Sequence, residues 1–170
     1  MSGTIDFLNL ITYTDHERAK WKAWLAADPS SRLAIAFQTG ARFPTIGGLL
    51  NHMFWVEERH LARLEGTPVP DTTGVPDNDL SALFEFGDRV RANLRRFVTT
   101  ADERHMSEPI TFNLRGGPPI TVLRRKLAAH IMLHEIRHFA QIAYAVRVAG
   151  HEPPGEHDYF FAPVDMSAGV

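Results

Sequence analysis

A chain of 170 residues, 44% hydrophobic and 22% charged, has the size and composition of one globular domain that needs neither disulfides nor a structural metal to fold. Its 18 Lys and Arg against 20 Asp and Glu give a net charge of -2, and no basic block is present to track a phosphate backbone, so nucleic acid is not an expected partner. With no cysteine, a disulfide framework, a thiolate-ligated zinc and a cysteine nucleophile are all excluded, and any thiol chemistry must use the thiol of a small molecule.

The opening stretch MSGTIDFLNLITYTDHERAKW lacks a basic start followed by an apolar core, and no apolar run approaches the roughly 20 residues of a membrane span. A cytoplasmic protein with no membrane partner is expected. A first helix is predicted from about Thr4 to Ala27, with Phe7, Leu10, Trp21 and Trp24 on one side, stopping near Asp28-Pro29. A second starts at Pro44-Thr45 and runs to Leu64, where Glu65-Gly66-Thr67-Pro68 ends it. A third opens on Asp79 as N-cap and carries Leu80, Leu83, Gly87, Val90, Leu94 and Phe97 at steps of three and four. The stretch PITFNLRGGPPITV, around Gly116-Gly117, reads as a small β-hairpin. A fourth helix spans about Ile120 to Ala149 and closes on Gly150.

These elements predict an all-α fold, a four-helix bundle over residues 1–150 with long connections and a hairpin before the last helix. Connections of this length leave crossover topologies open. The tail, residues 151–170, is too broken for a helix, and Tyr159, Phe160 and Phe161 are expected to dock it on the bundle or on a partner subunit.

The last helix contains His134-Glu135-Ile136-Arg137-His138, which satisfies the H-E-x-x-H pattern. On a helix, His134 and His138 lie about 40° apart around the axis and roughly 6 Å apart along it, close enough to share one ion. Leu127 and Ala145 fall between them in angle and Leu123, Ile131 and Ile142 flank them, so the pair points into the core stripe. His130 lies about 60° off that stripe and reads as a flanking or surface residue. A third ligand must come from another helix. The second helix offers His52 and His60, roughly 12 Å apart, and its stripe of Ile46, Leu49, Met53, Val56 and Leu64 places His60 nearer the centre.

A zinc protease would use Glu135 as base, but the metzincin positions that require Gly and His hold Gln141 and Tyr144, and no sheet is available to hold an extended peptide. A ferritin-like di-iron site finds Glu-x-x-His twice, at Glu57 to His60 and Glu135 to His138, with Glu17 as a third carboxylate. It lacks a fourth, because Glu85 points away from the stripe of its helix.

The helix-two stretch TIGGLLNHMFWVEERHLARLEG and the last helix HIMLHEIRHFAQIAYAVRVAG resemble the DinB family of metal-dependent bundles, as do YTDHERAKWKAWL and the tail GHEPPGEHDYFF. The family's common ending is His-x-x-x-His-Arg-Gly-Gln; this chain keeps both histidines and Gln141 but has Phe139 and Ala140 in the Arg and Gly positions. The resemblance implies that His52, His134 and His138 are the metal ligands, that the cofactor is a divalent ion such as zinc, nickel or iron, and that the bundle forms a homodimer. It further implies a small-molecule substrate and, by analogy with characterised relatives, a transferase that uses a low-molecular-weight thiol. Tyr13, Glu17, Glu135 and Gln141 are then the polar residues expected around the ligands, with Glu135 a supporting or rim residue and Arg137 flanking the seam beside a carboxylate. For Tyr13 and Glu17, an ordinary polar position on the first helix is an equal expectation. The non-enzyme alternative is a stress-related dimeric bundle whose metal is structural.

Overall fold

The computed structural model describes residues 6–37, 42–114 and 116–164. Its long helices are α1 (Phe7–Ala26), α3 (Ile46–Glu65), α4 (Leu80–Thr100) and α6 (Arg124–Val148), with short helices α2 (Pro29–Leu33) and α5 (Glu103–Met106) between them. Strands β1 (Pro109–Asn113) and β2 (Pro119–Leu123) form the antiparallel hairpin, and Tyr159–Phe161 make a turn of 3₁₀ helix.

Local chemistry sets these limits. The Asp6 carboxylate and the Asn9 side chain form a capping box that starts α1, so the helix begins after the Thr4 expected from the sequence, a residue outside those described. Thr45 caps α3 by accepting from Gly48 N–H, and Gly66 ends it in the left-handed region at φ 71°. Asp79 accepts from Ala82 N–H at the start of α4. Asp28-Pro29 stops α1 as the sequence indicates, but it also opens α2, with Asp28 as the cap and Pro29 in the first turn. The last helix starts at Arg124 rather than near Ile120. Residues 120 to 123 pair with Phe112 to Pro109 in the hairpin ladder, and β-branched Ile120, Thr121 and Val122 suit that strand.

Around the bundle, α1 packs on α4 and α6, and α3 packs on the same two helices. The long helices that follow one another first in sequence, α1 and α3, therefore lie diagonally. The core has two apolar halves, one around Trp21, Leu50, Phe84 and Ile142 and the other around Ile11, Leu64, Leu94 and Leu127. Reading each helix from one half to the other gives its direction: α1 and α6 run one way, α3 and α4 the opposite way. The order is up, down, down, up, a crossover arrangement rather than a simple meander.

Between the halves lies a layer of buried charge with one residue from each long helix, Arg18, Glu57, Arg91 and Glu135, each 5% exposed or less. Arg18 Nε donates to Glu135 at 2.5 Å and its Nη2 meets Glu57; Arg91 Nε approaches Glu57 at 2.9 Å and its Nη2 meets Glu135. Two cations and two anions in one layer leave no buried charge uncompensated, the condition on which such burial is tolerated. Burial works against the Arg18 charge, yet Glu135 and Glu57 outweigh it and raise its pKa above the ordinary value.

The tail folds back along α1 as far as it is described, to residue 164; residues 165–170 lie outside the described residues. The Tyr13 hydroxyl donates to the His157 carbonyl at 2.6 Å, the His157 ring lies parallel to Trp21 at 5.4 Å, and Tyr159 meets Tyr13 edge to face. Phe160 and Phe161 remain 76% and 53% exposed. Among the described residues, no helix is long and apolar enough to cross a membrane.

Candidate metal centre

The ligand atoms of His52, His134 and His138 all lie within 4.8 Å of one another. The two α6 rings face each other through Nε2 atoms 3.0 Å apart, and the His52 ring centroid stands 5.1 and 5.3 Å from theirs. Imidazole nitrogens at 2.0–2.1 Å from a tetrahedral ion are about 3.3 Å apart, so small side-chain rotations would let this cluster close on one ion.

Why these three meet follows from the packing. Helices α3 and α6 run antiparallel, so a residue early on α3 faces one late on α6. His52 is thus level with His134 and His138, whereas His60, further along α3, is level with His130, 5.3 Å away between ring centroids. The stripe position of His60 does bury it, at 5% exposure, but beside Arg63 and Phe112 and outside the cluster.

Protonation favours metal binding. Burial first, then His138 and Arg137, lower the His52 pKa to about 4; burial and the neighbouring histidines lower that of His134 to about 2. His138 is lowered too, by burial and by Arg137, against the opposing effect of its hydrogen bond to Gln141. All three rings are therefore neutral near pH 7, as ligands must be. The Gln141 Oε1 lies 2.5 Å from His138 Nδ1 and accepts from it, which leaves the lone pair on Nε2, the atom facing His134. Phe43 stacks on His52 at 4.0 Å and covers that ring, whose Nδ1 is buried without a hydrogen-bond partner. An ion would satisfy a polar site that is otherwise short of partners.

The remaining polar candidates are placed elsewhere. Tyr13 and Glu17 hold the tail, Glu17 through His157 Nδ1 at 2.6 Å, and Lys20, paired with Glu17 at 2.5 Å, donates to the Glu156 carbonyl. Glu135 faces Arg18 and Arg91 in the charge layer, because a one-residue step turns it about 100° from His134. Arg137 is exposed at the mouth of the cluster, and no carboxylate pairs with it among the described residues. Sequence reasoning missed Arg18 and Arg91; the available signal was the presence of charged residues within or beside apolar stripes.

These placements remove two readings. A zincin base must be free to take a proton, and both Glu135 oxygens are bound to guanidinium groups. The carboxylates Glu57 and Glu135 of a di-iron site surround two arginines instead of space for cations.

Two cavities open at the cluster. One, of about 700 Å³, is mainly apolar, with Phe37, Phe43, Leu49 and Tyr144 in its wall beside His138. The other, of about 430 Å³, contains His52, His134 and His138 in its wall together with four arginines.

The fold and site define a crossover four-helix bundle with a histidine cluster that could hold one metal ion at the meeting point of two cavities. The chain belongs to the DinB family, whose model matches residues 1–163. No curated protein matches it.

Proposed function

We propose that the protein is a metal-dependent enzyme in which His52, His134 and His138 hold one divalent ion and a small-molecule thiol is transferred onto an electrophile. The observation that carries the reading is the set of three neutral imidazoles, open to two cavities, with one ring fixed in tautomer by Gln141. Three protein ligands and an accessible fourth position are the arrangement of a catalytic site; structural sites are closed. When bound, such an ion lowers the pKa of a coordinated thiol or water.

The chain's own residues then orient and shield. Gln141 holds His138, Phe43 covers His52, and the apolar cavity excludes water from an electrophile lying beside His138. In the transfer, the thiol proton leaves to solvent, a sulfur lone pair forms the bond to the electrophilic carbon, and the leaving group departs with its electron pair. Because the chain has no cysteine, the thiol in this reading is one supplied from outside. A homodimer in the cytoplasm completes the proposal.

Metal analysis of the purified protein tests it. About one divalent ion per chain is expected in wild type and in His60→Ala, and little in His52→Ala. Chelator-sensitive consumption of a small thiol with an aryl halide would support the transfer. Loss of metal in His60→Ala alone, or two irons per chain, would overturn the site.

A further inference from the structure

The second cavity has a one-sided charge. Arg42, Arg59, Arg63 and Arg137 line it, and no carboxylate does among the described residues, in a protein whose net charge is negative. Clustered cations without counter-ions repel one another, and burial together with Arg59 lowers the Arg63 pKa. Arg42 and Arg137 are exposed and solvated, but Arg59 and Arg63 are partly buried, and an anion entering between them would relieve that repulsion.

Three of the four guanidinium groups are also held in place. Arg59 lies 4.7 Å over the Trp55 ring, Arg63 4.7 Å over Phe112 and Arg42 5.1 Å over Phe43. Stacking uses the faces of the guanidinium planes and leaves edge N–H groups for a ligand. Two donors on this wall, Arg59 Nε and Trp55 Nε1, are buried with no hydrogen-bond partner. Buried donors are normally satisfied, and here acceptors are lacking on the protein side.

We infer that this arginine-lined chamber binds the carboxylate or phosphate group of a small anionic substrate or cosubstrate, whose other end reaches the histidine cluster. Planar, paired N–H donors match the two or three oxygens of such a group, which lysines would not do as well. The adjoining, mainly apolar cavity, sharing Arg42, Phe43, Arg137 and His138, then receives the apolar partner of the reaction. This rests on the metal-centre reading only for which end of the ligand reacts; the anion site itself does not need an ion.

Calorimetric titration of the full chain with inorganic phosphate, with succinate and with neutral succinamide tests it, before and after metal is stripped. Saturable binding of phosphate or succinate is expected, whichever is tighter identifying the oxyacid, with none for succinamide. Arg59→Met and Arg63→Met should each weaken it about tenfold, the loss expected of one charge-assisted hydrogen bond. Arg95→Met, a half-exposed residue paired with Asp15 on another face, should leave it unchanged. Circular dichroism identifies a variant that fails to fold, and the other arginine variant then decides. No anion binding by wild type, equal binding of succinamide, or indifference to both variants overturns the inference. Binding that disappears on stripping and ignores the arginines places the anion on the metal, which overturns it while upholding the metal centre. Binding that survives stripping supports the chamber, and only a wild type found to carry no metal as purified would count against the metal centre.

Discussion

Arg18 Nε donates to the Glu135 carboxylate at 2.5 Å, tying α1 to α6 at the residue next to His134. That contact gives the motif His-Glu-x-x-His two separate tasks on one helix. Its histidines face α3, and its glutamate belongs to the charge layer that joins all four long helices.

Glu135→Ala should therefore leave metal content unchanged yet destabilise the fold by about 3–5 kcal/mol, because Arg18 and Arg91 lose a buried counter-charge. Urea denaturation alongside metal analysis separates the effects. A stable variant that has lost its metal would show that Glu135 serves the histidines.

Gln141 supports the site without being a ligand. Gln141→Leu removes the acceptor that fixes His138 and should weaken metal affinity about 10–100-fold with the fold intact. Competition against a chelator of known affinity gives the number, and an unchanged affinity would remove Gln141 from this role.

Acid should destabilise the metal-stripped protein. The folded pKa of His52 is about 4 and that of His60 about 3, against 6.5 for the free side chain. Below 6.5 the unfolded chain takes up protons that the folded chain refuses. Stability from these rings is thus complete above that pH and is lost as pH falls toward the folded values. Thermal melts should show a lower Tm at pH 5 than at pH 7. With metal present, acid should also release the ion, since protons and metal compete for the same nitrogens.

A close helix contact offers a test away from the site. A Cβ on Gly87 would lie 2.8 Å from the Phe54 ring, and the Gly87 carbonyl accepts from Arg18 Nη1 at 3.0 Å. Gly87→Ala must push α4 from α3 and should cost about 1–3 kcal/mol. The urea midpoint measures it, with an unchanged midpoint showing that Phe54 moves aside freely.

Much of the frame is legible in the sequence because it is local. Asp79, Thr45, Gly66 and Gly150 mark helix ends through hydrogen bonds and backbone conformations made within a few residues. The start of α6 is less legible: Ile120 to Leu123 fit either a helix stripe or a strand, and pairing with β1 decides for the strand.

The spacing of His134 and His138 on one buried face is likewise a property of the sequence, since the helical repeat alone brings them together. The third member is not. Periodicity ranks His60 above His52, and only the antiparallel alignment of α3 against α6 sets His52 level with the pair and His60 level with His130. The alignment of four helices, set by how their apolar halves meet, carries Glu135 to two arginines, and the meeting of α3 with α6 sets Arg59 and Arg63 of one and Arg137 of the other around the cavity of the histidines. Helical angle is fixed by residue number, but the height at which two helices meet depends on packing contacts between residues far apart in the chain.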